Sequence, residues 1–173
     1  MPPGTSLSSV CRCTTLYQEL TPRKPAEKDP VAEFAAARIP GSRFFDLEGI
    51  SDRTSPLPHM LPSPAAFAAA CDALGLTNSD AVVVYDRSGI FSAPRVWWTF
   101  HVMGHSQVAV LDGGWPAWCS AGLPIDTTPV DMEGIEAPAK AAQGGGADAR
   151  FHAALEVPVI CPIPLHRNVI SVL

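Results

Sequence analysis

Ala81-Val-Val-Val-Tyr85 is an unbroken, mostly β-branched run that stops at a polar loop, Asp86-Arg87-Ser88-Gly89-Ile90-Phe91, followed at once by Ser92-Ala93-Pro94. Such a run, bounded by polar residues, reads as a short buried strand. Serine just before a proline in the first turn reads as a helix start, with Ser92 as the N-cap. A strand that feeds directly into a helix is half of a βαβ unit, and similar signals repeat along the chain. Asp29-Pro30 opens a helix through Ala37, a strand lies near Arg43–Asp46, and Leu47–Ser63 is a long polar loop. Ser63-Pro64 caps the next helix, which Gly75 closes; a helix over Ala93–Met103, a strand over Val108–Leu111 and a helix over Trp115–Ala121 complete the series. Helices alternating with short apolar strands predict an α/β domain: a mostly parallel sheet with helices on both faces.

In such sheets ligands sit at the carboxyl ends of strands, where Asp86 stands. The loop amides and the positive end of the following helix converge there and form a cradle for an anion. A cysteine at the first loop position would be held as a thiolate by that field. The residue present is Asp86, which cannot carry a persulfide.

The flanking segments are specific. Ile39-Pro40-Gly41 lies upstream, then Ser51-Asp52-Arg53-Thr54-Ser55-Pro56-Leu57-Pro58-His59-Met60-Leu61-Pro62. Ser92-Ala-Pro-Arg-Val-Trp-Trp98 follows the loop, and Leu111-Asp-Gly-Gly114, Trp118, Gly122 and Pro124 come after it. In this order they resemble the rhodanese superfamily, and more narrowly the first domain of two-domain thiosulfate/3-mercaptopyruvate sulfurtransferases, over about residues 22–128. The resemblance implies a rhodanese-like fold and a family chemistry in which sulfane sulfur moves from a small anionic donor to a thiophilic acceptor through a cysteine persulfide. It places that cysteine in the second domain, and it implies no cofactor and no metal. It further implies that Asp52 and His59 face the cleft between the domains as auxiliary groups for proton movement or cleft order. Asp86, Arg87, Gly89 and Arg95 would then be a vestigial active-site loop, and the chain has no nucleophile of its own. Turn and backbone hydrogen bonding is the competing reading for Asp52 and His59. For Arg95 the alternatives are a charge partner of the Asp86 loop or packing over an indole. His101 and His105 read as surface or helix-terminal residues.

Composition narrows the partners. A net charge of −5 over 173 residues argues against nucleic acid or an anionic membrane surface. No apolar stretch approaches the roughly 20 residues of a spanning helix, so a soluble domain is expected. The five cysteines, Cys11, Cys13, Cys71, Cys119 and Cys161, have no metal-ligand spacing, and without a secretory signal they read as reduced intracellular thiols. Cys71 and Cys119 read as packing residues. Cys161 precedes Pro162-Ile-Pro-Leu-His-Arg167, whose prolines remove the amides an anion loop needs.

Both ends depart from the pattern. Residues 1–21 are Ser/Thr-rich without a visible strand; they read as an N-terminal tail, compatible with a weak transit segment and equally with a disordered or misassigned start. Residues 129–173 turn to Ala, Gly and Pro and read as a linker and an unmatched apolar tail. The sequence therefore predicts the N-terminal half of a sulfurtransferase, truncated and inactive alone, with a non-enzymatic binding or regulatory module as the alternative. The family implies a mitochondrial address, with the cytoplasm as alternative, and an interdomain face left exposed for self-association.

Overall fold

The computed structural model describes residues 13–17, 29–145 and 149–156. Its four strands are β1 (Cys13–Tyr17), β2 (Arg43–Phe44), β3 (Ala81–Tyr85) and β4 (Val108–Val110). They form one sheet in the order β2-β1-β3-β4, and every pair is parallel. The helices are α1 (Pro30–Ala36), α2 (Leu47–Ile50), α3 (Pro64–Ala73), α4 (Ala93–Val102), α5 (Gly114–Ser120) and α6 (Met132–Gln143).

The helix starts follow from local chemistry. The Asp29 carboxylate accepts from the amides of Val31 and Ala32, and Ser63 Oγ accepts from that of Ala66, each with a proline in the first turn. Gly75, at φ +64°, ends α3 in the left-handed conformation that closes many helices.

Period-2 alternation along β3 divides the core in two. Val82 and Val84 pack with Ile50, Phe67, Cys71, Val96 and Phe100, the apolar faces of α2, α3 and α4. Tyr85 packs on the other side with Phe34, Ile39 and Phe44, and Trp115 and Trp118 lie against that cluster. The sheet is thus covered on both faces, as the alternating pattern predicts.

At both ends the structure differs from the sequence expectation. Residues 1–21 are not simply a tail, because β1 lies inside the sheet, paired with β2 on one side and with β3 on the other. Five residues of weak apolar character make a strand because two neighbours supply its ladder; strand preference depends on such context. Residues 129–173 are not simply a linker either. Asp131 caps α6 through the Glu133 amide, and Ile135, Pro138 and Ala142 are buried. α6 comes so close to α2 that a Cβ on Gly49 would overlap the Ala139 methyl and the Asp46 carboxylate. Residues 149–156 also pack, with Phe151 2% exposed. Described structure thus lies on the far side of both expected boundaries, β1 before residue 22 and α6 after residue 128.

Candidate functional site

The loop after β3 is built as an anion cradle, and the anion in it is the protein's own. Asp86 is completely buried. Its Oδ2 accepts from the amides of Phe91, Ser92 and Ala93 at 2.7, 2.9 and 3.0 Å, and its Oδ1 accepts from Ser88 at 3.0 Å. Hydrogen bonds to a carboxylate are stronger than neutral ones, and a negative charge at a helix N-terminus is further favoured by the dipole. The expected cap is therefore corrected: the Ser92 side chain makes no capping bond to α4, and the carboxylate six residues upstream reaches the start of the helix in its place. From below, the Trp115 amide donates to the Asp86 carbonyl at 2.9 Å. Gly114, at φ +52°, sits where a Cβ would overlap the carbonyl oxygens of Asp86 and Gly89. Gly89 itself has φ +104°, a conformation that side chains rarely adopt.

The two arginines assigned to this loop turn to other work. Arg87 donates to the carbonyls of Glu33 and Ala37, lies 3.6 Å from the Glu33 carboxylate, and stacks 4.7 Å over Trp115. It clamps α1 and α5 to the loop. Arg95 is not a charge partner of the Asp86 loop. Its guanidinium lies 4.5 Å over the Trp98 ring and donates to the His59 carbonyl at 2.6 Å. Partial burial lowers its pKa, although at neutral pH an arginine remains charged.

Asp52 and His59 share a loop but not a hydrogen bond. The Asp52 carboxylate accepts from the Thr54 amide at 2.9 Å and the Thr54 hydroxyl at 2.8 Å, and these bonds hold it below its usual range. Its amide donates to the Met60 carbonyl at 3.1 Å, closing the loop on itself. His59 has φ +56° and is the non-glycine residue in the left-handed region among the described residues. Its Nδ1 is buried, with no hydrogen-bond partner among them. Asp52 thus makes the turn that its residue type favours, while His59 is held through its backbone by Arg95. Sequence reasoning missed that strut, because a side chain bonding to a main-chain carbonyl 36 positions away leaves no local signal.

Several large apolar side chains of the same segments are open to solvent. Leu57, Met60, Ile90, Phe91, Trp97 and Trp98 are all exposed. Cys71 is fully buried, and burial pushes its thiol pKa up, with Asp72 adding to the effect; such a thiol is a packing group rather than a nucleophile. Cys119 is half-buried. Cys11 and Cys161 lie outside the described residues. Among the described residues, no group of three His, Cys, Asp or Glu side chains could hold a metal, and no helix is long and apolar enough to cross a membrane.

The family whose description matches this sequence is the rhodanese-like domain, over residues 23–121. Thiosulfate/3-mercaptopyruvate sulfurtransferase 1, mitochondrial, of Arabidopsis thaliana is 56% identical over 102 residues, which are 59% of this chain and 27% of that protein. The 3-mercaptopyruvate sulfurtransferase of Rattus norvegicus is 48% identical over 58% of this chain and 34% of its own. Among solved structures, the 3-mercaptopyruvate sulfotransferase SseA of Escherichia coli superposes with a TM-score of 0.68 at 32% identity, covering 84% of this chain and 50% of that one. The chain spans about a third of the length of the curated relatives it matches.

Proposed function

The chain belongs to the rhodanese-like domain family, and we propose that within it this is the non-catalytic half of a thiosulfate/3-mercaptopyruvate sulfurtransferase, unable to transfer sulfur alone. One observation carries the reading: the Asp86 carboxylate occupies the amide cradle where a persulfide-forming thiolate would have to lie. Transfer requires a thiolate to attack the outer sulfur of thiosulfate and expel sulfite. An acceptor such as cyanide then takes that sulfur from the persulfide. A carboxylate cannot perform the first step, and its charge repels an anionic donor from a site where bulk water does not screen it. Catalysis by a longer protein would take its nucleophile and the basic groups that anchor the donor from elsewhere. Asp52 and His59 would then serve as auxiliary groups on the loop facing that partner half. A mitochondrial address fits the label of the Arabidopsis relative and is proposed on that ground alone.

The second reading is a non-enzymatic binding or regulatory module. It is favoured by the exposed side chains of Leu57, Phe91 and Trp98 next to a closed cradle. Both readings give the same result in a thiocyanate-release assay with thiosulfate and cyanide: the purified chain shows no turnover above buffer. Asp86→Cys, which puts a thiol among the amides that the carboxylate now occupies, is expected to form a persulfide slowly with thiosulfate, seen as a mass increase of roughly 32 Da, one sulfur. Robust wild-type turnover that disappears in a Cys→Ser variant at Cys71, Cys119 or Cys161 would identify the true nucleophile and overturn the proposal.

A further inference from the structure

Away from the cradle, residues 149–156 cross the molecule as a strap with its own set of bonds. The amides of Arg150 and Phe151 donate to the Asp72 carboxylate at the end of α3. His152 and Asn78 exchange two bonds of 2.8 Å, from the His152 amide to Asn78 Oδ1 and from Asn78 Nδ2 to the His152 carbonyl. The amides of Ala154 and Glu156 donate to the carbonyls of Met103 and Val102 at the end of α4. The strap inserts one large apolar side chain, Phe151, whose ring lies 6.0 Å from Phe67 and 5.6 Å from the imidazole of His105.

His105 is 3% exposed and lies between Phe151 and Phe100, the latter also 5.6 Å away. This corrects the surface position expected from its place after a helix. One ring nitrogen faces the main-chain carbonyls of Asp80 and Gln107, while Nε2 is buried without a hydrogen-bond partner among the described residues. The neutral ring fits this apolar surrounding without placing a charge in it. A second proton would sit on Nε2, where no acceptor waits. A buried unpaired charge is among the costliest things a core can hold.

We propose that residues 149–156 form a strap latched over His105 by Phe151, and that protonation of His105 releases the strap while the rest of the domain stays folded. Lifting Phe151 is the cheapest way to hydrate the ring: it shares the core cluster of Phe100, but the strap has no helix or strand of its own, whereas Phe100 is held in α4 and β3 in the sheet ladder. The neighbouring charges do not reverse this. The buried Asp80 carboxylate favours the charged imidazole, but it is already engaged by the Thr77 amide and hydroxyl, and desolvation outweighs it. Asp72 is committed to the strap amides and to Arg150. The remaining ionisable groups of the strap, His152 and Glu156, are exposed.

The sign is fixed by linkage. Burial lowers the His105 pKa in the latched state, so the released state binds the proton more readily. The latch is at full strength above the ordinary histidine pKa of about 6.5 and weakens as pH falls below it, by up to about tenfold per pH unit for one proton. Carboxylates generally titrate well below this window.

Amide hydrogen exchange on the full chain, corrected for intrinsic rates, tests the proposal. Protection at Phe151, His152, Ala154 and Glu156 is expected to fall by up to about fivefold between pH 6.5 and 5.5, while protection at Val82 and Val84 holds. His105→Gln, which keeps a donor but cannot titrate there, is expected to make strap protection independent of pH. Independently of that variant's folding, the wild-type His105 ring-proton shifts should titrate below the ordinary histidine range, at the pH where strap protection has been lost. Strap protection unchanged with pH, a pH response retained in His105→Gln, parallel loss at Val82 and Val84, or a ring that titrates without strap opening would each overturn it.

Discussion

Asp86 shows how one side chain can replace both a cap and a ligand. Four backbone amides converge on its carboxylate, three of them on a single oxygen. Converting that oxygen to an amide group would leave an N–H facing N–H donors. Asp86→Asn is therefore expected to cost about 2–4 kcal/mol, no less than Asp86→Ala, since either change strands buried donors. Urea unfolding midpoints measure this, and a loss under about 0.5 kcal/mol for the asparagine variant would show that the carboxylate does not hold the loop. The position of Asp86 was legible in the sequence, because a β-branched run, a glycine loop and a Ser-Ala-Pro helix start are all local signals. Its role as cap was not legible. Ser92 is the better local candidate, and only the fold of the loop brings a residue six positions earlier onto the same amides. The destination of Arg95 was hidden for the same reason, although stacking on an indole was one of its two readings.

Among the elements, those with local signatures matched the structure and those that rely on neighbours did not. Helices α1 and α3 carry a capping side chain and a proline at their starts, and both begin where the sequence places them. β1 has only five residues, and its stability comes from ladders on both sides. α6 carries readable signs, an Asp131 cap and a Glu136–Lys140 pair at 2.8 Å, but Pro138 and the glycines after it mask them. Whether α6 is a linker or part of the core can be measured. Ile135 is 7% exposed and lies in the cluster of Phe34, Phe44 and Tyr85. Ile135→Ala should destabilise the domain by about 2–4 kcal/mol through lost burial and the cavity left behind. A linker residue would give almost no change, so thermal unfolding of this one variant decides the matter.

On the scale of the whole molecule, Arg95 links two of the segments that carry exposed apolar side chains. Its bond to the His59 carbonyl ties the loop carrying Leu57 and Met60 to α4, and its stacking on Trp98 extends the same face along the helix. Phe91, 67% exposed, stands one turn before Arg95, and Leu57 is 62% exposed. A soluble monomer rarely leaves such side chains together without a partner. With no other protein present, the molecules available to cover this face are other copies of the chain. The purified protein should therefore self-associate with a concentration-dependent sedimentation coefficient. Fully burying a Leu or Phe side chain is worth about 1.5–3 kcal/mol. Leu57→Ser together with Phe91→Ser should then weaken association by at least about tenfold without lowering the unfolding midpoint, since neither side chain belongs to the core. Sedimentation of the wild-type chain as a clean monomer at high concentration would mean that this face needs no cover. An association unchanged in the double variant would place the contact on another surface.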